Sequence, residues 1–225
     1  MSSSSSSLFP GLTEPLSPSS ATAVLPAELQ AIQLATRRHQ AAHGCSAHTF
    51  EDGEGLWRLV AALAPRRVLE FGTGLGYTAC LMAWASPQAQ VDTLEGDAAH
   101  AALARQHIAQ CGLAGRVRLH EGSFSVTFPA LDCAPGSVDM VFFDGHVPPH
   151  ALLDAWHRLL RPGGWLVCAN LELNGPQGCR RAKADLRDGA RWQLQPPLEG
   201  GQTWVACRVE RPRQQALVRP PIMRA

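Results

Sequence analysis

Two carboxylates and three closely spaced glycines stand where they could hold a nucleotide-like ligand. Glu70 lies two residues before Gly72, and Thr73, Gly74 and Gly76 follow. Arg67–Phe71 reads as a buried strand, the glycines as a turn, and a helix is predicted from about Tyr77. A strand that runs through a glycine-rich turn into a helix N-terminus lets backbone N–H groups approach a ligand closely. Glu95 ends a second predicted strand, 23 residues after Gly72. Nucleotide-binding folds place there the carboxylate that accepts ribose hydroxyls. The dinucleotide form of the motif needs glycine at position 77, which is Tyr77 here. An acid at Glu70 suits a ligand with a cationic amino group better than one with a pyrophosphate.

Alternating elements must position these residues. Helices are predicted over Pro26–His43, where Leu29, Ile32 and Leu34 give apolar spacing, and over Phe50–Ala64. Strands Arg67–Phe71, Gln90–Glu95, Val117–Glu121, Val138–Asp144 and Trp165–Asn170 then alternate with helices Tyr77–Ala85, Ala98–Cys111 and His150–Leu160. A weak turn is expected near Phe124–Leu131. The strands are nearly continuous apolar runs, as in a parallel sheet covered on both faces. A helix at Gln177–Asp188 precedes two strands, Arg191–Gln195 and Thr203–Val209, joined by a Pro/Gly-rich loop. The expected fold is therefore α/β: a Rossmann-like seven-stranded sheet of five parallel strands plus a terminal antiparallel hairpin, with N-terminal helices. Ligands in such folds bind at the carboxyl ends of the strands. That rule selects the loops Gly72–Gly76, Glu95–Asp97, Glu121–Phe124, Asp144–His146 and Asn170–Glu172.

The bulk properties exclude several functions. A net charge of +1 over 225 residues leaves no electrostatic footprint for nucleic acid or a membrane surface. No apolar run reaches the roughly 18 residues a membrane helix needs, and no secretory leader is predicted, so a cytoplasmic enzyme is expected. The seven cysteines are odd in number and show no C-x-x-C spacing. They suggest reduced, apolar cysteines and no zinc site. The Ser/Pro-rich residues 1–25 are expected to be disordered. Residues 26–210 form the expected domain, with cap helices at 26–64 and the core at 66–210. Residues 211–225 are a Pro/Arg-rich tail.

The stretch Leu69-Glu-Phe-Gly-Thr-Gly-Leu-Gly-Tyr-Thr78 resembles motif I of class I methyltransferases that use S-adenosylmethionine. With Thr49-Phe-Glu-Asp-Gly-Glu-Gly-Leu56, Phe142-Phe-Asp-Gly-His146 and Leu159-Leu-Arg-Pro-Gly-Gly-Trp-Leu-Val167, the region Thr49–Val209 is similar to the small cation-dependent O-methyltransferases, the family of catechol and caffeoyl-CoA O-methyltransferases. The resemblance implies that Glu70 and Gly72, in the turn with Thr73, Gly74 and Gly76, hold the methionine end of the cofactor. It implies that Thr78 bonds its carboxylate, Glu95 its ribose hydroxyls and Ser123 its adenine edge. His146 would pack beside the adenine, next to Asp144. Family members are often dimers, so a homodimer is among the expectations.

Two departures from the family stand out. Its metal site is an Asp after the fourth strand and an Asp-Asn pair after the fifth. Asp144 and Asn170 match, but Ala169 replaces the first member of the pair. A divalent cation such as magnesium prefers more than one carboxylate, so its presence is in doubt unless Glu172 substitutes. The family's catalytic lysine position is Val147, and the single lysine, Lys183, is expected to be solvated on a later helix. Asp144, His146 and His150 then become the candidate catalytic groups, with His43 and His48 on the segment that could cover a substrate. The expected function is methyl transfer to a small-molecule hydroxyl. The alternatives are a cofactor-binding protein without catalysis and a methyltransferase for tRNA or protein.

Overall fold

A computed structural model of the chain describes residues 25–45, 47–145, 152–169, 171 and 175–209. In chain order the elements are α1 (Ala27–His43), α2 (Gly53–Leu63), β1 (Arg67–Phe71), α3 (Tyr77–Ala85), β2 (Gln90–Glu95), α4 (Ala98–Gln110), β3 (Val117–Glu121), α5 (Phe124–Ala130), β4 (Val138–Phe143), α6 (Leu153–Leu159), β5 (Leu160–Cys168), α7 (Gly175–Leu186), β6 (Trp192–Leu198) and β7 (Thr203–Arg208). The seven strands form one sheet in the order β3-β2-β1-β4-β5-β7-β6. Strands β1 to β5 pair in parallel. Strand β7 runs antiparallel to both β5 and β6. The predicted fold class is the observed one.

Side chains alternate across the pleat, and the two faces build two cores. Val68, Met140, Phe142, Val167 and Val205 pack with Leu29, Phe50, Leu56 and Leu81 of the N-terminal half. Leu69, Phe71, Val141, Phe143 and Leu166 pack with Trp156, Leu186 and Trp192 on the other side. Glu70 shares the face of Val68 and pairs in register with Thr93 on β2 and Phe142 on β4. It is therefore a fully buried carboxylate beneath α3, a helix whose residues are buried almost throughout.

Several boundaries differ from expectation for physical reasons. The expected turn near Phe124–Leu131 is helix α5, because Phe124 and Phe128 pack edge-on against Phe71 at 5.4 and 5.0 Å. Tertiary packing there outweighs weak helix propensity. Strand β5 starts at Leu160, not Trp165. Leu160 already pairs with Val138, and an irregularity between Val138 and Met140 absorbs the Pro-Gly-Gly stretch. Strand β6 continues through Pro196 and Pro197 to Leu198, with a register shift after Gln195. It is the sheet's edge, where missing N–H donors are tolerated. Leu34 falls off the buried stripe formed by Leu29, Ile32 and Thr36, and is 48% exposed. Lys183 is not simply solvated, since its ammonium lies 5.5 Å from the Trp204 ring centre. No helix among the described residues is long and apolar enough to cross a membrane.

The turn after β1 depends on close backbone approach. Gly72 has φ of +97°, and a Cβ there would lie 2.6 Å from the Asp144 carbonyl oxygen. Backbone on both sides leaves no room to yield. Gly72→Ala is expected to lower stability by about 1–3 kcal/mol, read as a fall in the urea midpoint without a change in slope.

Candidate active site

A cavity of about 340 Å³ opens at the carboxyl ends of β1, β2 and β4. Its floor is the turn Gly72-Thr-Gly74; Glu95, Asp97 and His100 close one end, and Asp144 and Gly145 the other. Thr36, His48, Thr49 and Phe50 from α1 and the segment after it form the roof. The volume lies within the roughly 300–1,000 Å³ usual for small-molecule sites.

Glu70 lies just behind this wall. Its Oε1 accepts a hydrogen bond from Thr78 Oγ1, and its Oε2 accepts one from Thr93 Oγ1 at 2.5 Å. Thr73 Oγ1 lies 2.5 Å from Thr93 Oγ1. With the Thr93 proton directed at Glu70, Thr73 is the donor in that pair. The carboxylate thus communicates with the cavity through Thr73 and Thr78, which both line it. Burial pushes the Glu70 carboxyl up to about 7, opposed by the hydrogen bonds from Thr78 and Thr93.

Glu95 is placed by backbone donors. Its Oε2 accepts from Gly74 N at 2.7 Å and its Oε1 from Asp97 N at 2.9 Å. The glycine turn and the end of β2 therefore share one carboxylate. Asp97 caps α4, accepting from Ala99 N and His100 N at 2.8 and 3.0 Å, a contact worth about 1 kcal/mol.

Asp144 continues β4, its N–H donating to Phe71 O at 2.9 Å. Burial pushes its carboxyl up to about 7, and the nearby Glu199 carboxylate adds to the rise. Glu199 sits at the tip of the β6–β7 hairpin. It is held there by Glu51 N at 3.0 Å and Thr203 Oγ1 at 2.5 Å. Ala169, at the family's metal-Asp position, is 1% exposed and belongs to the apolar cluster of Phe50 and Phe142. Of the family's two metal carboxylates, the described residues keep Asp144 and replace the other with Ala169, so the family's own donor set for a hard divalent cation is not reproduced.

Of the predicted site residues, the structure gathers Gly72, Thr73, Gly74, Thr78, Glu95, Ser123 and Asp144 around one cavity. Glu70 and Gly76 stand outside its lining, Glu70 behind Thr78 and Gly76 at the start of α3. His146, Val147, His150, Asn170 and Glu172 lie outside the described residues. His48 lines the roof, whereas His43 packs on His39 with ring centres 4.5 Å apart.

Sequence reasoning missed four residues. His100 is 4% exposed, with Nδ1 3.9 Å from Glu95 Oε1. Its position three residues after the capping Asp97 was the available signal. Thr49 Oγ1 is buried in the roof without a protein partner among the described residues. Glu199 had no local signal, because its loop is distant in sequence. Tyr77 read only as the residue that breaks the dinucleotide motif. Its hydroxyl sits where a Cβ on Gly53 would come within 2.0 Å, and burial pushes its pKa up to about 12.

Residues 69–171 match the methyltransferase domain family. The chain is 34% identical over 148 residues to a catechol O-methyltransferase of Niastella koreensis, covering 60% of this chain and 67% of that one. It is 31% identical over 169 residues to a putative O-methyltransferase of Mycolicibacterium vanbaalenii, covering 72% and 74%. Its fold superposes with a TM-score of 0.70 on an O-methyltransferase from Streptomyces achromogenes solved in complex with SAM, at 26% identity over 85% of this chain and 93% of that one. The chain belongs to the class I O-methyltransferases, enzymes that take their methyl group from S-adenosylmethionine.

Burial of Glu70 sets a pH dependence. Folded Glu70 keeps its proton up to about 7, whereas the unperturbed value is 4.5. Between these values the folded state binds more protons than the unfolded chain. The stability present below the lower value is therefore lost as the pH rises through the upper one. Urea unfolding of the ligand-free protein should show lower stability at pH 8 than at pH 5. Glu70→Gln should remove part of that slope, up to roughly 3 kcal/mol, with Asp144 supplying the rest.

Proposed function

We propose that this enzyme methylates a hydroxyl of a small aromatic molecule, with Asp144 as general base and with no step through a divalent cation. The observation that carries the reading is one cavity that joins the glycine turn and Glu95 to a carboxyl held near neutrality. The bound cofactor supplies an electrophilic methyl group on a sulfonium. Glu95 accepts hydrogen bonds from the two ribose hydroxyls while staying anchored by Gly74 N and Asp97 N. The turn Gly72–Gly76 and Thr78 receive the amino-acid end, and Ser123 meets the adenine edge. His146 beside the adenine ring, and His146 and His150 as candidate catalytic groups, belong to the same proposal. Glu70 acts as a positioning residue that fixes Thr78 and, through Thr93, Thr73.

Methyl transfer is an in-line displacement, so most of the enzyme's work is orientation. Phe50, Phe124 and His48 line the same cavity as Asp144 and offer flat walls to an aromatic acceptor. The name of the Niastella relative supports a catechol-like acceptor. Asp144 takes the hydroxyl proton as the oxygen attacks. A base poised near the working pH is the efficient choice, and burial with Glu199 nearby brings Asp144 there. Apolar Ala169 supports a route in which Asp144 handles the proton itself.

Glu95→Ala should weaken S-adenosylmethionine binding about 10–100-fold by calorimetry, matching the loss of charged hydrogen bonds worth about 1.5–3 kcal/mol. For Asp144, a catechol-type panel should show kcat/KM rising with pH through about 7. Asp144→Asn should lower kcat about 10²–10⁴-fold and flatten that profile, while S-adenosylmethionine still binds. Turnover abolished by EDTA and restored by magnesium would overturn the metal-free reading.

A further inference from the structure

Three potential metal ligands meet at the corner where the roof of the cavity joins its ribose end. His39 lies in the last turns of α1, Cys45 just after that helix's Gly44 C-cap, and His100 in the first turn of α4. One ligand atom from each lies within 4.8 Å of the other two. The His39 and His100 rings meet edge-on, with centres 5.3 Å apart. We propose that His39, Cys45 and His100 form a transition-metal site, best suited to zinc, that fastens the roof of the cofactor cavity to the turn between β2 and α4.

The donor set decides the ion. Two imidazoles and a thiolate suit zinc and other borderline or soft ions, and do not suit magnesium or calcium. The site is therefore separate in chemistry and position from the oxygen-ligand site that the family places beside Asp144. Tetrahedral zinc with Zn–N of about 2.0–2.1 Å and Zn–S of about 2.3 Å has ligand–ligand edges of roughly 3.5 Å. Closing the present cluster needs side-chain shifts of about 1 Å. Three protein ligands leave a fourth position for water.

Carboxylates border the cluster. Glu95 Oε1 is 3.9 Å from His100 Nδ1, beyond hydrogen-bond reach but close enough to attract a cation bound at the ring. The Asp97 carboxylate acts electrostatically on both His39 and His100, although at His39 desolvation and the His43 and His100 rings outweigh it. His100 is buried while His39 and Cys45 are half-buried, which gives rigidity on one side and access on the other. Cys45 is a free thiol. Thr36, one turn before His39 on α1, lines the cavity, so an ion here would hold α1 over the cofactor. The cysteine spacing gave no zinc signal because the ligands come from two chain segments, with a single cysteine among them.

The test uses the full chain, stripped of metal by a chelator that is then removed. One equivalent of Co²⁺ should produce visible d–d bands and a thiolate-to-cobalt charge-transfer band. Zinc should displace the cobalt and raise the melting temperature. Cys45→Ser should abolish the charge-transfer band, and His39→Ala should weaken cobalt binding. Losing a direct ligand should cost at least the roughly 10–100-fold seen when outer partners are disturbed. Circular dichroism confirms that each variant is folded. No charge-transfer band in the parent protein, a band that persists in Cys45→Ser, or an equal zinc-induced rise in melting temperature in both variants would each overturn the proposal.

Discussion

The burial of the Glu70 carboxyl is the constraint around which the active end of the sheet is arranged. A carboxyl with no solvent exposure carries a desolvation penalty unless its lone pairs are met or it keeps its proton. Here the two compete: burial raises the carboxyl to about 7, while Thr78 and Thr93, donating to its two oxygens, favour the ionised form and limit the rise. Each donor belongs to a different element, α3 and β2, while Glu70 sits on β1. Satisfying one buried group therefore fixes the start of α3 against two strands. The glycine turn is the short chain that must connect them.

That connection leaves little freedom. Gly72 N and Thr73 N both donate to Leu94 O, at 3.1 and 3.2 Å, which ties the turn to the end of β2. Gly72 also lies against the Asp144 backbone, and Gly74 N reaches Glu95. The two ends of the cavity are thus coupled through backbone contacts and through the Glu95 carboxylate that the turn anchors. Such preorganisation is what an orientation-dominated reaction requires. The hairpin completes the enclosure from the far edge of the sheet. Asp52 Oδ2 accepts from Glu199 N at 3.3 Å, while Asp52 Oδ1 caps α2 through Gly55 N at 2.8 Å. The loop that perturbs Asp144 is therefore clipped to the roof.

The parts of this arrangement that could be read from sequence are those carried by local pattern. The strands and the turn were legible because apolar runs and glycines encode backbone state within a few residues. Glu95 was legible because its distance from the turn is set by one β-α-β unit. Glu70 was placed correctly on β1 but given a direct ligand role. Its contacts with Thr78 and Thr93 depend on strand register and helix packing, which no short spacing encodes. Helix α5 was missed for the same reason: Phe71 on another element holds it. Glu199 acts across 55 residues on Asp144, and a separation of that kind has no signature in a single chain.

Ala169 stands where the family that this sequence resembles keeps a metal-binding Asp. Its N–H still donates to Phe143 O at 2.8 Å, so the backbone at the end of β5 keeps its parallel pairing. The side chain, however, joins the apolar core beside Phe50 and Phe142. A carboxylate in that position would need its own partners or a cation to offset desolvation. Asp144 is raised first by its own burial and then by the nearby Glu199 carboxylate. A methyl group in place of a second carboxylate is consistent with the proposed route, in which Asp144 takes the proton itself.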